Sequence, residues 1–95
     1  MNLIIRELAL RQILEAAKWI EDENTLGAGD RWAAKLQATL NHKARTGVKH
    51  AICKNKGLSR YGHRCFTYND KWVVAYKIDG DKFVVYRFIY GAKLR

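Results

Sequence analysis

Proline is absent from the 95-residue sequence, and no stretch is rich in serine or glutamine. These absences exclude proline-rich linkers and low-complexity tracts, so a single domain is predicted over residues 1–95. No apolar run approaches the length of a membrane span, and no membrane partner is expected. Arg6, Glu7 and Arg11 interrupt the first apolar residues, so we expect no signal peptide. The only two cysteines are therefore predicted to be free thiols in a reducing cytoplasm.

Acidic residues are scarce in the C-terminal half. Residues 43–95 contain thirteen Lys and Arg against three Asp, a net charge of +10, whereas residues 1–42 carry a net charge of −1. Such an uneven field favours a polyanionic or acidic partner. A basic surface that serves only solubility is the alternative.

The strongest local pattern lies in residues 71–91. β-branched and aromatic residues dominate 72–78 and 83–90, as is typical of strands. Asp79 and Gly80 lie between these runs, and Asp-Gly is typical of a two-residue type I′ turn. The sequence therefore predicts a β-hairpin with a type I′ turn.

The N-terminal half predicts one strand and two helices. Residues 1–6 form a short apolar run, and helical spacing of apolar residues follows over 8–23. The predicted buried stripe of this helix is Leu10, Ile13, Leu14, Ala17 and Ile20. Residues 24–30 break the pattern, and the second helix is predicted to end near residue 44, with Trp32, Ala33, Leu36 and Leu40 on its apolar face. We interpret Trp19 as flanking a neighbouring helix, and the acidic residues 21–23 as a solvated helix end.

The remaining segments complete the predicted fold. Residues 45–62 are irregular and basic, and a loop of this length is often functional. Residues 63–68 are predicted to form a strand that ends at an Asn69-Asp70 turn. The order β-α-α-β-β-β predicts an α+β fold with a helical hairpin packed on one face of an antiparallel sheet. Because both faces of the last strand are apolar, either the basic loop or a partner chain should cover the second face.

Four residues were considered as zinc ligands, namely His50, Cys53, His63 and Cys65. Their spacing is not that of a standard zinc site, and buried cysteine commonly serves as a small apolar filler. We predict no metal and no cofactor, and a Cys53–Cys65 disulfide is disfavoured in a reducing compartment. His63 is the best placed of the histidines to act as an acid or base, although a surface histidine is the favoured interpretation.

Taken in order, these segments resemble the RelE/ParE superfamily of bacterial toxins from type II toxin–antitoxin systems. The resemblance covers nearly the whole chain. It rests on the short first strand, the helical pair with packing residues Ala33 to Leu40, W-V-V-A-Y-K-I at 72–78, the acidic turn, and V-V-Y-R-F-I-Y-G-A-K-L-R at 84–95. It implies a small basic toxin that a cognate antitoxin wraps and neutralises. Freed toxins of the RelE branch cleave mRNA on the ribosome, and those of the ParE branch poison DNA gyrase.

The resemblance alone does not choose between these targets, because both branches share the fold. Val73 occupies the strand position that often bears arginine in the RelE branch, and that branch's late tyrosine has no counterpart here. These departures favour a ParE-like gyrase inhibitor or an inactive member over an efficient metal-independent endoribonuclease, and no catalytic residue is assigned. A non-catalytic nucleic-acid-binding module is the alternative. The predicted residues for binding the target or nucleic acid are Lys54, Lys56, Arg60, Arg64, Arg87, Tyr90, Lys93 and Arg95.

Overall fold

The computed structural model describes the backbone of residues 1–94 and the side chains of residues 1–92. Three helices, four strands and a final 3₁₀ turn follow one another along the chain. They are β1 (Asn2–Ile5), α1 (Glu7–Glu23), α2 (Ala28–Thr46), α3 (Lys56–Ser59), β2 (Arg64–Tyr68), β3 (Trp72–Asp79), β4 (Lys82–Tyr90) and the turn Gly91–Leu94. The predicted α+β order is confirmed, and the one-turn helix α3 is an addition within the basic loop.

The four strands form one sheet in the order β1-β4-β3-β2. β2, β3 and β4 form the predicted antiparallel meander, whereas β1 pairs in parallel with β4, Leu3 lying opposite Phe83. The sheet is therefore mixed. Parallel neighbours need a long crossover connection, and the two long helices are part of the chain that separates β1 from β4.

The main core lies between the helices and one face of the sheet. Leu36 and Leu40 of α2 are 1% exposed, and Tyr76 and Phe83 of the sheet are fully buried. Trp32 joins this core at its edge, with its ring centroid 5.6 Å from those of Trp72 and Phe88. The predicted apolar face of the second helix is thereby confirmed.

A β-bulge in β4 breaks the alternation that the sequence predicts. Ala75 pairs with Arg87 and Tyr76 pairs with Val85, so Tyr86 is the extra residue. Val85 and Phe88 consequently both pack in the helix-side core. Strict alternation along the strand would place Tyr86 and Phe88 on one face, but the inserted residue shifts the pattern by one position and separates them.

A hydrogen bond beside the bulge joins β4 to α1. The Phe88 backbone N–H donates to Gln12 Oε1 at 2.8 Å, which holds that side of α1 against β4. Ala9, Ile13 and Ala16 form the buried face, whereas Leu10 and Leu14 are 45% and 59% exposed. The predicted stripe was therefore wrong for these two leucines.

The Asn69-Asp70 turn was located correctly, whereas the type I′ turn predicted at Asp79-Gly80 lies one residue later and is of another type. Asp79 pairs with Lys82, so the two-residue loop is Gly80-Asp81. Gly80 has a φ of 59° and Asp81 does not have a positive φ, as in a type II′ turn. Positive φ values at two successive residues, as in type I′, occur instead at Asn69 and Asp70, where the Lys71 N–H donates to the Tyr68 carbonyl.

The basic loop covers part of the second face of the sheet. Cys53 and Leu58 pack on Ala75 of β3, with Cys65 beside them. The loop, rather than a partner, therefore accounts for the apolar character of this part of the face. Backbone hydrogen bonds run from the Cys53 N–H to the His63 carbonyl (2.9 Å) and from the Cys65 N–H to the Ala51 carbonyl (3.1 Å).

Cys53 and Cys65 form a disulfide, with their Cα atoms 4.9 Å apart. The prediction of two free thiols is corrected on this point. Ile52 forms a β-bridge with Arg64, which brings the two cysteines beside each other across adjacent segments. The sequence interpretation weighed the cellular compartment and could not anticipate this bridge.

The connection between α1 and α2 depends on Glu21 and Gly29. The backbone N–H groups of Gly27 and Gly29 donate to the Glu21 carboxylate at 2.7 and 2.9 Å. These two hydrogen bonds, aided by Arg31, hold the pKa of Glu21 below its usual range. Glu21 therefore satisfies the first N–H groups of α2, and its interpretation as part of a solvated helix end was wrong.

Gly29→Ala should destabilise the protein by about 1–3 kcal/mol despite the better helix propensity of alanine. The reason is that a Cβ at this position would collide with the Ala17 carbonyl oxygen of α1. Urea unfolding provides the measurement. Ala34→Gly, at an exposed position of α2, is the control for helix propensity alone and should lower the free energy of unfolding by about 1 kcal/mol. A more stable Gly29→Ala variant would contradict the close packing.

Candidate functional site

A basic and aromatic cleft lies where the start of α1 meets the bulged region of the sheet. Its volume is about 530 Å³. We call it the basic–aromatic cleft, and its lining residues are Arg6, Glu7, Leu8, Arg11, Tyr61, His63, Lys77, Tyr86 and Arg87. Four segments that are distant in sequence therefore contribute to one site.

The bulge places Tyr86 at the centre of this cleft. The guanidinium carbon of Arg6 lies 5.6 Å from the centroid of the Tyr86 ring, and Lys77 Nζ lies 5.9 Å from it. Both distances are in the range of cation–π contacts. Two cations from different parts of the chain are thus oriented by one half-buried tyrosine.

Three aromatic rings form a row along the cleft. The His63 ring is stacked on Tyr86 with centroids 4.8 Å apart, and Tyr61 lies 6.0 Å from His63. Tyr61 is 58% exposed, whereas His63 is 6% exposed. The outer end of the row is therefore open to solvent and its middle is not.

His63 is electrostatically unusual. Burial, and to a smaller extent the charges of Lys77 and Arg87, lower the pKa of its imidazole. Its Nδ1 atom is buried without a hydrogen-bond partner. The favoured prediction of a surface histidine was wrong, because the ring lies between Tyr61 and Tyr86.

The charge of the cleft is strongly positive. Arg6, Arg11, Lys77 and Arg87 line it, and Glu7 is its one carboxylate among the lining residues. Glu7 lies 3.8 Å from Arg11, and both side chains are exposed, so this pair is weak. The other three cations have no carboxylate within salt-bridge distance in the described part of the chain. The cleft is suited to an anion.

The residues predicted to bind the target do not come together at one site. Arg87 alone lines the basic–aromatic cleft, while Lys54, Lys56 and Arg60 are exposed around α3. Arg64 instead donates to the His50 carbonyl at 2.7 Å and supports the loop. The Lys93 side chain and Arg95 lie outside the described residues.

Tyr90 belongs to a different surface, an apolar groove between α1 and the end of the sheet. We call it the Trp19 groove; its volume is about 470 Å³, and its lining residues are Gln12, Glu15, Ala16, Trp19, Trp72, Phe88, Ile89 and Tyr90. Trp19 is 57% exposed and Tyr90 is 39% exposed. The interpretation of Trp19 as a helix-flanking residue overlooked this groove.

A third concavity lies on the second face of the sheet, beside Val73. We call it the Val73 pocket; its volume is about 510 Å³, and its lining residues are Ala51, Ile52, Cys53, Lys54, Asn55, Leu58, Cys65, Phe66, Thr67, Val73 and Gly91. Lys54 is its one titratable side chain among residues 1–92, since both cysteines are in the disulfide.

Sequence reasoning missed most of the basic–aromatic cleft. Arg6 and Arg11 belong to the half of the chain with no net positive charge, so the charge count did not indicate them. Lys77 and Arg87 interrupt otherwise apolar strands, and these two charges could have indicated the cleft from the sequence. Their approach to each other depends on the bulge, which the sequence pattern does not predict.

Two further observations concern metals and membranes. Among the residues described, no group of three or more His, Cys, Asp or Glu side chains is arranged to hold a metal ion. Within the same part of the chain, none of the helices combines the length and apolar character needed to span a membrane.

Comparison with protein families gives a match to the ParE toxin of type II toxin–antitoxin systems (parDE), over residues 3–95. The chain belongs to the ParE toxin family. The resemblance to the RelE/ParE superfamily is thereby confirmed, and so is the prediction of a type II toxin. Membership implies an antitoxin as the partner of this ParE-family chain. No individual curated protein matches it.

Replacement of His63 should change the pH dependence of stability. The unfolded chain has a histidine pKa of about 6.5, and burial lowers that of folded His63. The unfolded state therefore binds more protons below pH ~6.5, and stability falls as the pH falls toward the folded pKa. His63→Phe should flatten the dependence of the free energy of unfolding on pH between about 5 and 7.

Urea unfolding at several pH values tests this expectation, with exposed His42→Ala as the control variant. His50 should retain part of the dependence in every variant, because burial and then Lys43 also lower its pKa. If the free energy of unfolding changed equally with pH in wild type and His63→Phe, the result would contradict the burial of a neutral His63.

Proposed function

We propose that this toxin arrests growth by binding and inhibiting DNA gyrase, and that it does not cleave RNA. Its membership of the ParE family supports a gyrase target, because the resemblance assigns gyrase to that branch. The alternative within the superfamily is ribosome-dependent cleavage of mRNA. We also propose a cytoplasmic location, where either target would be found.

The observation that carries the proposal is the composition of the Val73 pocket. Metal-independent RNA cleavage needs groups that remove a proton from the 2′-hydroxyl and donate one to the leaving oxygen. In the described part of the pocket, Lys54 is the single titratable side chain and Val73 replaces the expected arginine. A lone lysine does not provide both a base and an acid, nor the cations needed to stabilise a phosphorane.

The basic–aromatic cleft does not supply the missing chemistry. Its histidine is 6% exposed and stacked on Tyr86, and the buried Nδ1 has no polar partner to orient the ring. A general base must reach the proton that it removes, at about 2.6–3.2 Å between heavy atoms. A ring enclosed in this way supports a binding role for the cleft.

We propose that the antitoxin covers the Trp19 groove. Large exposed aromatic side chains in concave apolar surfaces are typical anchors of protein interfaces. Trp19 and Tyr90 are both exposed in this groove, with buried Trp72 in its lining, so an apolar segment of the antitoxin would bury these two exposed rings together. The groove shares no lining residue with the basic–aromatic cleft.

Expression of the toxin without its antitoxin should arrest growth while mRNA remains intact, and the purified toxin should inhibit DNA supercoiling by gyrase. The physical reason is that Lys54 is the single titratable side chain among the described residues of the Val73 pocket. Gel assays of supercoiling and primer extension on mRNA from arrested cells provide the measurements. A Lys93→Ala/Arg95→Ala variant should lose toxicity if the basic tail contacts the target.

Lys54→Ala is the matched variant for the competing activity. If the toxin were a ribonuclease using the Val73 pocket, this variant would reduce mRNA cleavage, whereas we expect uncut mRNA with both proteins. Ribosome-dependent cleavage with unaffected supercoiling would refute the gyrase proposal. Harmless expression, together with RNA binding that weakens steeply with salt, would instead favour the non-catalytic nucleic-acid-binding module.

Trp19→Ala should weaken antitoxin binding by roughly 30-fold or more, because truncation of an interface tryptophan commonly costs at least about 2 kcal/mol. Toxicity without the antitoxin should be unchanged. Calorimetry with the cognate antitoxin and growth rescue on co-expression provide the measurements. Leu26→Ala is the control, since Leu26 is 92% exposed and lies outside the groove. Wild-type affinity for Trp19→Ala would place the antitoxin on another surface.

A further inference from the structure

We propose that the basic–aromatic cleft binds single-stranded nucleic acid, with a phosphate group between the cations and a base against Tyr61. This site is additional to the proposed contact with gyrase and does not depend on it. It shares no lining residue with the Val73 pocket. Among the predicted nucleic-acid-binding residues whose side chains the structure describes, Arg87 is the one that lines it.

The cations of the cleft are positioned for a phosphate group. Arg6 and Lys77 both lie within cation–π distance of the Tyr86 ring, at 5.6 and 5.9 Å from its centroid. Arg87 follows Tyr86 in the bulge and lines the same cleft. None of the three is in a salt bridge within the described residues. Arginine guanidinium groups bind phosphate oxygens in pairs, and an unneutralised cluster favours that ligand.

Tyr61 distinguishes a nucleotide from a simple anion. It is 58% exposed at the open end of the ring row, while His63 and Tyr86 continue the row inward. The guanidinium carbon of Arg60 lies 6.0 Å from the Tyr61 centroid and adds a cation beside this ring. An exposed ring next to cations is the arrangement on which bases of single strands stack. An acidic peptide would use the cations but has no need of the ring.

His63 provides an independent indication of a site. Its side chain is more than nine-tenths buried, and Nδ1 lacks a hydrogen-bond partner. A buried polar atom without a hydrogen-bond partner costs free energy, so its presence in the cleft wall calls for an explanation, and a bound ligand is one. This His63 ring lies in the wall of the cleft, between Tyr86 and Tyr61, the ring on which we propose that the base stacks.

Fluorescence anisotropy with fluorescein-labelled oligo(dT), measured at several salt concentrations, tests the proposal. Lys77→Ala/Arg87→Ala should weaken binding roughly tenfold or more. It should also reduce the slope of log affinity against log salt concentration by about 0.7 for each phosphate that the variant no longer neutralises. Tyr61→Ala should weaken binding roughly tenfold at an unchanged salt dependence, while Tyr61→Phe should bind as wild type because the ring is retained.

Lys18→Ala/Lys35→Ala is the charge-matched control, since it removes two exposed lysines of α1 and α2 outside the cleft. An equal loss of affinity in this control would mean that binding follows net charge, and would overturn the proposal. Displacement of oligo(dT) by poly-glutamate, with no effect of Tyr61→Ala, would identify an acidic protein segment as the ligand and would also overturn it. Because Tyr61 is exposed, its variants keep the test valid if the double variant does not fold.

Discussion

The hydrogen bond from the Phe88 N–H to Gln12 Oε1 is the contact on which the arrangement of the surfaces depends. An extra residue in a strand interrupts the ladder and leaves backbone groups in need of partners. Gln12 supplies a partner for the Phe88 N–H beside the bulge, and it thereby joins β4 to this side of α1. Phe88 can then enter the core while Tyr86 and Arg87 are left for the cleft.

The same contact separates two surfaces of different chemistry along α1. On one side Gln12 and Trp19 line the apolar Trp19 groove. At the start of the helix, Arg6 and Arg11 line the basic–aromatic cleft. A toxin must contact both an antitoxin and a target, and physically distinct surfaces allow these contacts to differ in their chemistry. The apolar groove suits burial of hydrophobic side chains, whereas the cleft suits an anion.

The element order, the hairpins and the family were predictable from the sequence, because strand and helix periodicities persist over many residues. The residues that form the groove and the cleft were not predictable in this way. Sequence periodicity predicted Leu10 and Leu14 inside, but in the folded protein Ala9, Ile13 and Ala16 are buried and Gln12 contacts β4. The pairing of Cys53 with Cys65 depends on a β-bridge between a loop and a strand. His63 was predicted to lie on the surface, because the sequence does not show that its ring lies between Tyr61 and Tyr86 in the folded protein.

The closed base of the loop has a consequence for how such a toxin can evolve. Backbone hydrogen bonds between Cys53 and His63 and between Cys65 and Ala51 fix the ends of the loop, in addition to the disulfide. Most side chains between these ends do not contribute to the main core. Mutations of its exposed side chains, such as Lys54 and Lys56, can therefore accumulate with little effect on folding, whereas Leu58 is held in the smaller buried cluster. The exposed part of the loop can therefore change in sequence while the sheet stays the same.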